Sequence, residues 1–305
     1  MESGKSHVKA AHVRVHAPGK INLILRVLDR RSDGYHEVWS LMQTVGLYDE
    51  LRIAIRLGSS PTIDLQCDDA TLAVDQTNLV SRAAALVLER AHRQVSVSID
   101  LQKRIPMGAG LGGGSSDAAA TILGLNHLLG LGWSRPVMSE IGQALGSDVP
   151  FFFAAPTAVA TGRGEQVRPV AIAESRWVLL VNPGFAVDTR WAYQQLASSR
   201  RMVAPVHEST QRLGRQPVLK WEDIMDAAAN DFEPPVCGAH PILRDIKMRL
   251  SEAGADVALL SGSGATVFGV FRDNARASQA HEGFSRERSY KVYLVETCGQ
   301  PLDCR

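Results

Sequence analysis

An eleven-residue segment in the first half of the chain, residues 106–116, is rich in glycine. It reads Pro-Met-Gly-Ala-Gly-Leu-Gly-Gly-Gly-Ser-Ser and runs into an alanine-rich helical pattern. Glycine has no Cβ, so its backbone N–H can approach an anion closely, and the helix that follows adds its positive N-terminal dipole. The segment therefore predicts a phosphate-binding loop. The alternative is a flexible Gly/Ser loop that ends in a helix-capping serine.

Two common phosphate-binding motifs do not fit this loop. Residues 108–113 match the G-x-G-x-x-G string, but residues 103–107 separate them from the preceding strand pattern and no carboxylate follows about twenty residues later. A Walker A loop would end in Gly-Lys-Ser/Thr, which is absent. What remains is a loop preceded by Lys103, which can offset phosphate charge. The loop ends in Ser115 and Ser116, which are placed to contact a phosphate or its Mg²⁺.

Length and composition exclude several classes of protein. A chain of 305 residues predicts about two domains. The net charge is +1 with both signs well mixed, so we expect neither a nucleic-acid partner nor a membrane surface. The four cysteines form no C-x-x-C pair, which favours neither a zinc site nor a disulfide scaffold. The first ten residues lack the apolar core of a signal peptide, and we expect a cytoplasmic protein.

Strand and helix patterns follow one another without strict alternation, which favours an α+β fold over a doubly wound sheet. The predicted strands are 12–16, 21–27, 51–57, 95–101, 158–161, 177–181, 257–260, 266–271 and 290–295. The predicted helices are 77–92, the helix after the glycine loop that stops at Gly130, 136–145, 221–229 and 241–253. The polar, aperiodic stretch 198–217 is predicted to be a loop. The order of elements in the second half suggests a small split βαβ unit.

Two N-terminal segments carry polar side chains suited to a small-molecule site. Lys20 and Asn22 lie on the same side of a strand pattern, where an inward-facing lysine requires an anion. A solvated strand edge is the alternative. The Asp-Gly turn at 33–34 leads into Tyr35 and His36, a flat ring and an imidazole that suit a planar heterocycle. A turn with a packed tyrosine is the alternative there.

Asp148 is a candidate general base. It lies between a helical pattern that ends at Gly146 and the apolar run 149–153, so that its carboxylate is partly desolvated, and a nearby lysine would keep it ionised. An aspartate that binds local backbone N–H groups is the alternative. The turn Ser-Gly-Ser-Gly at 261–264 offers either a second backbone approach to phosphate or a tight corner. Motifs of zinc hydrolases and serine esterases are absent from the sequence.

Together, these segments resemble the GHMP kinases over residues 14–295. Three segments lie in the order typical of that superfamily, namely 17–20 (Ala-Pro-Gly-Lys), 106–116 and 261–265. Further segments resemble a branch whose acceptor joins cytidine diphosphate to a methylerythritol unit on the non-mevalonate route to isoprenoids, namely 20–23, 33–37, 146–150 and 230–234. The resemblance implies a two-domain GHMP kinase fold. Its N-terminal domain, residues 1–162, would be ribosomal S5 domain 2-like, and its C-terminal domain, residues 163–305, ferredoxin-like.

The resemblance also implies roles in an ATP-dependent transfer to the 2-hydroxyl of that acceptor. Asp148 would take the hydroxyl proton, and Lys20 would hold that carboxylate and the incoming phosphoryl group. Asn22 would position the methylerythritol unit. The residues that would hold the cytosine are Tyr35, His36 and Tyr193.

The same resemblance assigns a set of ATP-binding residues, with Mg²⁺ held mainly by the ATP phosphates and no metal-ligating side chain named. These residues are Asn78, Lys103, Pro106, Met107, Gly108, Ala109, Gly110, Leu111, Gly112, Gly113, Gly114, Ser115 and Ser116. Asp117 departs from the superfamily pattern, and its charge would disfavour phosphate unless it points away. A homoserine or mevalonate kinase, a non-catalytic nucleotide-binding protein and a dinucleotide-dependent oxidoreductase are the alternatives. The sequence leaves the oligomeric state open.

Overall fold

The structure, a computed structural model, describes residues 11–57, 61–200, 202–298 and 300–304. The interpretation of the first ten residues falls outside these ranges. The described strands are β1 (Ala11–Arg30), β2 (His36–Leu57), β3 (Ile63–Cys67), β4 (Val95–Gln102), β5 (Thr157–Thr161), β6 (Gln166–Pro169), β7 (Ala171–Ile172), β8 (Trp177–Asn182), β9 (Val218–Leu219), β10 (Ala229–Asn230), β11 (Val257–Leu260), β12 (Val267–Phe271) and β13 (Lys291–Glu296).

Ten helices lie in the described part of the chain. They are α1 (Leu79–Arg90), α2 (Gly113–Leu128), α3 (Arg135–Gln143), α4 (Val149–Ala154), α5 (Thr189–Ser199), α6 (Glu208–Leu213), α7 (Trp221–Ala227), α8 (Glu233–Ala239), α9 (Pro241–Glu252) and α10 (Asn274–Ser285). None of the helices in the described part of the chain is long and apolar enough to cross a membrane.

Two larger sheets organise the molecule, and β7 and β9 pair in a third, two-stranded sheet. The first has the order β10-β1-β2-β4-β3, with β5 paired to β2 and β6 to β5. The second is antiparallel, with the order β11-β12-β8-β13. The first sheet draws β6 and β10 from beyond residue 162, so the division into residues 1–162 and 163–305 stays a prediction.

The core of the first sheet forms because its strands alternate. In β4, Val95, Val97, Ile99 and Leu101 are buried while the residues between them are partly or fully exposed. These side chains pack with those of α1, α2 and α4 in one apolar cluster. Burying such side chains stabilises the fold by about 25 cal/mol for each Å² of apolar surface removed from water. The sheet thereby fixes the position of the N-terminus of α2, where the glycine-rich loop ends.

Two local expectations were wrong. The separate strands predicted at 12–16 and 21–27 are one strand, β1, because the Pro18–Gly19 step is absorbed as a shift in register with β2 rather than as a break. The stretch 198–217 is not simply a loop, since it contains α6, whose Thr210 and Leu213 are buried. Helices α4, α5, α8 and α10 were not predicted at all.

Candidate active site

A cavity of about 690 Å³ collects most of the residues that the sequence singled out. The predicted residues in its wall are Lys20, Asn22, Asn78, Lys103, Pro106, Met107, Gly108, Ala109, Gly110, Leu111, Gly112, Gly113, Gly114, Ser115, Asp148 and Tyr193. Tyr35, His36 and Ser116 do not line it. The cavity lies between the glycine-rich loop, the inner part of β1 and the turn that joins β11 to β12.

The backbone of the loop requires glycine at alternate positions. Gly108, Gly110 and Gly112 have φ values of 59°, 76° and 69°, in the left-handed region that side chains rarely adopt. A Cβ at Gly112 would lie 2.9 Å from Cγ of Lys20, and one at Gly110 would overlap the carbonyl oxygen of Ser261. The loop thus packs against β1 and the C-terminal turn too closely for any other residue at these two positions.

Helix α2 begins at Gly113, directly after the loop. The first N–H groups of a helix have no partner within it, and they carry the positive end of its dipole. Gly113, Gly114 and Ser115 line the cavity. This cradle, which a Cβ would fill, suits the phosphates of a nucleotide.

The turn between β11 and β12, residues 261–266, supports the glycine-rich loop. Oγ of Ser261 donates a hydrogen bond to the carbonyl of Gly110 at 2.9 Å, and the backbone N–H of Thr266 donates to the carbonyl of Ala109 at 3.2 Å. The motif at 261–264 is therefore a corner that touches the loop, and its Gly262, Ser263 and Gly264 reach the cavity as well.

Asn230 explains why the segment 230–234 accompanies that turn. Its Nδ2 donates to the carbonyl oxygens of Leu260 and Gly262, at 2.7 and 2.8 Å. The carboxylate of Glu233 accepts from the backbone N–H of Leu260 at 2.8 Å. These buried contacts hold the turn in shape, a role that no local pattern in the sequence disclosed.

Lys20 is the buried cation at the centre of the cavity. Its backbone N–H donates to the carbonyl of Leu111 at 2.9 Å, which fixes β1 to the loop. Its Nζ donates to Oδ1 of Asn22 at 2.7 Å and lies 3.6 Å from Oδ2 of Asp148. Asn22 is oriented in turn by donating to Oγ of Ser40 at 2.8 Å. The strand places both polar side chains on one face, as predicted.

Asp148 stands at the N-terminus of α4, yet its side chain makes no capping hydrogen bond. The side chain is 39% exposed, while that of Lys20 is 5% exposed. The carboxylate therefore keeps accepting capacity on the cavity side. This geometry favours the general-base interpretation over that of a turn aspartate bound to local N–H groups.

The ring of Tyr193, on α5, closes the other end of the cavity. It stacks on the imidazole of His36 with a centroid separation of 5.0 Å and an interplanar angle of 18°, and it meets Phe232 edge-on at 4.9 Å. Rings 5.0 Å apart are in direct contact, so no base lies between Tyr193 and His36 in this conformation. Burial, with a contribution from the charge of Asp148, raises the pKa of Tyr193 to about 12.

His36 lies behind Tyr193 rather than in the cavity wall. Burial lowers its pKa, and the charges of Arg30 and Arg200 lower it further. The imidazole is therefore neutral near pH 7, with one nitrogen that donates and one that accepts.

Tyr35 is 54% exposed and lies at the rim. The guanidinium group of Arg163 lies 4.9 Å from the centroid of its ring, within cation–π range. Arg163 lines the cavity, although the sequence did not single it out. Its position in a Thr-Gly-Arg-Gly turn was the only signal that could have found it.

Asn78 is the N-cap of α1. Its Oδ1 accepts from the backbone N–H of Val80 at 2.8 Å, and its Nδ2 donates to the carbonyl of Ala73 at 2.7 Å. It lines the cavity at the edge of the loop. Its polar atoms are thus held in place before any ligand is present.

A second lysine, Lys103, lies in the cavity wall between two buried carboxylates. Its Nζ is 2.5 Å from Oδ2 of Asp49 and 2.8 Å from Oδ2 of Asp117. Burial opposes the charge of Lys103, but the charges of Asp117 and Asp49 outweigh it and raise the lysine pKa. Asp49 was missed from the sequence because it lies in the part of β2 that precedes the predicted strand 51–57.

Two polar atoms beneath the loop are buried without a hydrogen-bond partner among the described residues. They are Oγ of Ser116 and Oδ1 of Asp117. Ser116 is fully buried, so its hydroxyl does not reach the cavity wall. Burial, opposed by the charge of Lys103, raises the pKa of Asp117 to about 7.

The described ranges contain no group of three or more His, Cys, Asp or Glu residues arranged to hold a metal ion. The four cysteines, Cys67, Cys237, Cys298 and Cys304, are free thiols.

Comparisons with known proteins identify the family. A model of the GHMP kinases N terminal domain matches residues 78–155, and one of the GHMP kinases C terminal matches residues 217–290. A 4-diphosphocytidyl-2-C-methyl-D-erythritol kinase of Syntrophotalea carbinolica is 41% identical over 92% of this chain and 97% of its own.

Solved structures agree with this assignment. A crystal structure of 4-(cytidine 5'-diphospho)-2C-methyl-D-erythritol kinase is 32% identical, with a TM-score of 0.74 over 94% of this chain and 100% of its own. A homoserine kinase from Cytophaga hutchinsonii has a TM-score of 0.75 at 18% identity, over 100% of this chain and 99% of its own, which shows a shared fold alone. The predicted two-domain α+β GHMP kinase fold is confirmed. The chain belongs to the 4-diphosphocytidyl-2-C-methyl-D-erythritol kinase family of the GHMP kinases.

Proposed function

We propose that this protein transfers the γ-phosphoryl group of ATP to the 2-hydroxyl of 4-diphosphocytidyl-2-C-methyl-D-erythritol. The products are the 2-phosphate and ADP, and the step belongs to the non-mevalonate route to isoprenoids. The observation that carries the proposal is the Lys20–Asp148 pair. It opens into the same cavity as the glycine-rich loop and the ring of Tyr193.

Asp148 acts as the general base in this reaction. Its exposed carboxylate accepts the proton of the 2-hydroxyl while the oxygen forms a bond to the γ-phosphorus and the bond from that phosphorus to ADP breaks. Lys20 lies beside the carboxylate and orients it. A lysine ammonium group has three N–H donors, and with one on Asn22 and one directed at Asp148, the third is available to an oxygen of the transferred group.

The loop and the start of α2 bind the ATP phosphates. Phosphoryl transfer is catalysed mainly by positioning and by neutralisation of charge, which backbone N–H groups can supply. Mg²⁺, when bound, neutralises charge on the phosphate oxygens. We assign it to ATP rather than to a cage of protein side chains.

The aromatic end of the cavity takes the cytosine. Tyr193 offers a ring face to the base. The neutral imidazole of His36 is stacked behind that ring, so it would reach the base edge only after the two rings separate. Tyr35 and Arg163 stand at the rim, where movement of the exposed tyrosine would cover the base. A cytoplasmic location, with free cysteines and a supply of ATP, suits this reaction.

The experiment that tests the proposal compares three acceptors. The protein is incubated with Mg·ATP and either 4-diphosphocytidyl-2-C-methyl-D-erythritol, homoserine or mevalonate, and ADP release is followed. We expect ADP release with the cytidyl acceptor alone. Turnover with homoserine or mevalonate and none with the cytidyl acceptor would assign the site to another reaction, and no turnover with any of them would refute the proposal.

A further inference from the structure

The cluster formed by Asp49, Lys103 and Asp117 joins both ends of the glycine-rich loop. Asp49 lies on β2, Lys103 follows β4 immediately before the loop, and Asp117 lies on α2 immediately after it. All three side chains are at most 7% exposed. A buried ion pair of this kind is retained only where its geometry is good, because each charge loses its hydration.

Asp49 is the fixed end of the cluster. Its Oδ1 accepts from the backbone N–H groups of Arg104 and Ile105, at 2.5 and 2.9 Å, while its Oδ2 accepts from Nζ of Lys103. Charge-assisted hydrogen bonds to backbone N–H groups are strong and directional. Asp49 therefore fixes the chain where it enters the loop.

Asp117 is the incomplete end. Its Oδ2 accepts from Nζ of Lys103 at 2.8 Å, whereas its Oδ1 has no partner among the described residues. A buried carboxylate with an unpartnered oxygen costs stability, and its charge would repel phosphates in the cavity that it lines. The contact with Lys103 offsets that charge and decides where the ammonium group stands.

We propose that Asp117 is a positioning residue for the nucleotide, which holds the ammonium group of Lys103 at the base of the glycine-rich loop. Nζ of Lys103 lies 3.3 Å from the position that a Cβ of Gly113 would occupy, at the first residue of α2. With two of its three N–H donors on Asp49 and Asp117, the ammonium group keeps one for ATP. This inference rests on the proposed ATP-binding function of the cavity.

The test compares Asp117→Leu with Asp117→Asn. Both side chains have about the size of the aspartate, but only the asparagine keeps an oxygen that can accept from Lys103. Mg·ADP affinity is measured by calorimetry, and kcat and the KM values of both substrates by steady-state kinetics. We expect Asp117→Leu to weaken Mg·ADP binding and raise the KM of ATP about tenfold, as for loss of a hydrogen bond to a charged group, with no change in the KM of the acceptor.

Asp117→Asn is expected to recover most of that loss. The control is Thr121→Val, one turn further along α2, which removes an equally buried hydroxyl that bonds the backbone carbonyl of Asp117. Its melting temperature should fall while Mg·ADP affinity stays as in the parent protein. Equal Mg·ADP affinity in Asp117→Leu and the parent protein would overturn the proposal, and so would equal losses in the leucine and asparagine variants or equal increases in both KM values.

A second measurement asks whether Asp117 acts through Lys103. In a Lys103→Met background, Asp117→Leu should change Mg·ADP affinity less than about twofold, because coupled residues are not additive. The same tenfold loss in both backgrounds would contradict the proposal. The leucine–asparagine comparison needs no lysine variant, so it stands even if Lys103→Met does not fold. Since Mg·ADP binding requires no acceptor, it also remains informative if the assigned acceptor is wrong.

Discussion

Two lysines line the same cavity, but the carboxylates beside them differ in exposure. Lys20 lies 3.6 Å from the carboxylate of Asp148, which is 39% exposed and open to the cavity. Lys103 lies between the carboxylates of Asp49 and Asp117, which are 0% and 3% exposed. The first pair can exchange a proton with a substrate, whereas the second is enclosed in the protein.

The difference shows that one site uses one lysine–carboxylate pair for the reaction and a second lysine–carboxylate cluster to hold the loop. A general base must meet its substrate, so its carboxylate cannot be saturated by the protein. A frame for a phosphate loop has the opposite need, since every motion of the frame moves the backbone donors. The predictions below test whether the two clusters divide the work in this way.

Asp148→Asn should produce the largest effect. Loss of the base lowers kcat by a factor of about 10² to 10⁴, while Mg·ADP affinity stays near that of the parent protein because the loop is untouched. Steady-state kinetics and calorimetry measure both quantities. If kcat of the variant matched that of the parent protein, Asp148 would not be the base and the contrast between the two lysines would lose its meaning.

The cluster of Asp49, Lys103 and Asp117 should make the free energy of unfolding depend on pH. Burial raises the pKa of Asp117 to about 7, so the folded state binds this proton more tightly than the unfolded chain does. The stability that this proton contributes is complete below pH 4 and is lost as the pH rises to 7. Urea unfolding should show Asp117→Asn gaining on the parent protein across that window, by on the order of 3 kcal/mol.

Above pH 7 the difference in unfolding free energy between the two proteins should be constant as far as this group is concerned. A difference that stays flat from pH 4 to 7 would show that Asp117 is ionised throughout. The enclosed cluster would then carry a full negative charge beside the phosphates.

Asp49→Asn should lower the free energy of unfolding by about 2 kcal/mol, since it removes a buried charge while Asp117 still accompanies Lys103. Denaturant unfolding at pH 7 gives the value. Asp148→Asn serves as the matched control, because its carboxylate is partly exposed and its loss should change stability by less than about 1 kcal/mol. Equal losses of unfolding free energy in the two variants would contradict the distinction between the enclosed Asp49–Lys103–Asp117 cluster and the Lys20–Asp148 pair.

Tyr193→Ala should raise the KM of the acceptor about tenfold, by loss of a stacking face for the base, and leave the KM of ATP unchanged. Tyr290→Ala is the control, since that tyrosine packs near Phe284 away from the cavity wall. An increase in the KM of ATP alone would place the cytosine elsewhere.

The glycine-rich loop, Lys20, Asn22 and Asp148 could be singled out from the sequence because each lies in a short segment with a local pattern. At Lys20, Asn22 and Asp148 the pattern left an alternative open, and their roles were implied by the family resemblance. Lys103 was predicted to contact phosphate, but its contacts with Asp49 and Asp117 were not predicted. Its partner Asp49 lies more than fifty positions away, and only the pairing of β2 with β4 brings the two together.

The aromatic end of the cavity shows the same limit. His36 and Tyr193 stack because the start of β2 meets α5, a helix that the sequence reasoning did not predict. Tyr35, one residue from His36, turns to the rim and not to the cavity, because successive residues near a strand end point to opposite sides. Adjacent residues in the sequence, Tyr35 and His36, thus lie in different places, at the rim and behind Tyr193.

The turn that supports the glycine-rich loop has a consequence for synthesis of the protein. Ser261 and Thr266 hold the carbonyl groups of Gly110 and Ala109, so the loop meets its support some 150 residues after it has left the ribosome. The backbone of Cys304 pairs with that of Val15, in β1, through an isolated antiparallel β-bridge. A growing chain that stops before β11 contains every residue of the loop and lacks the surface that shapes it. The capacity to bind nucleotide therefore requires that β11 and the turn after it have been synthesised.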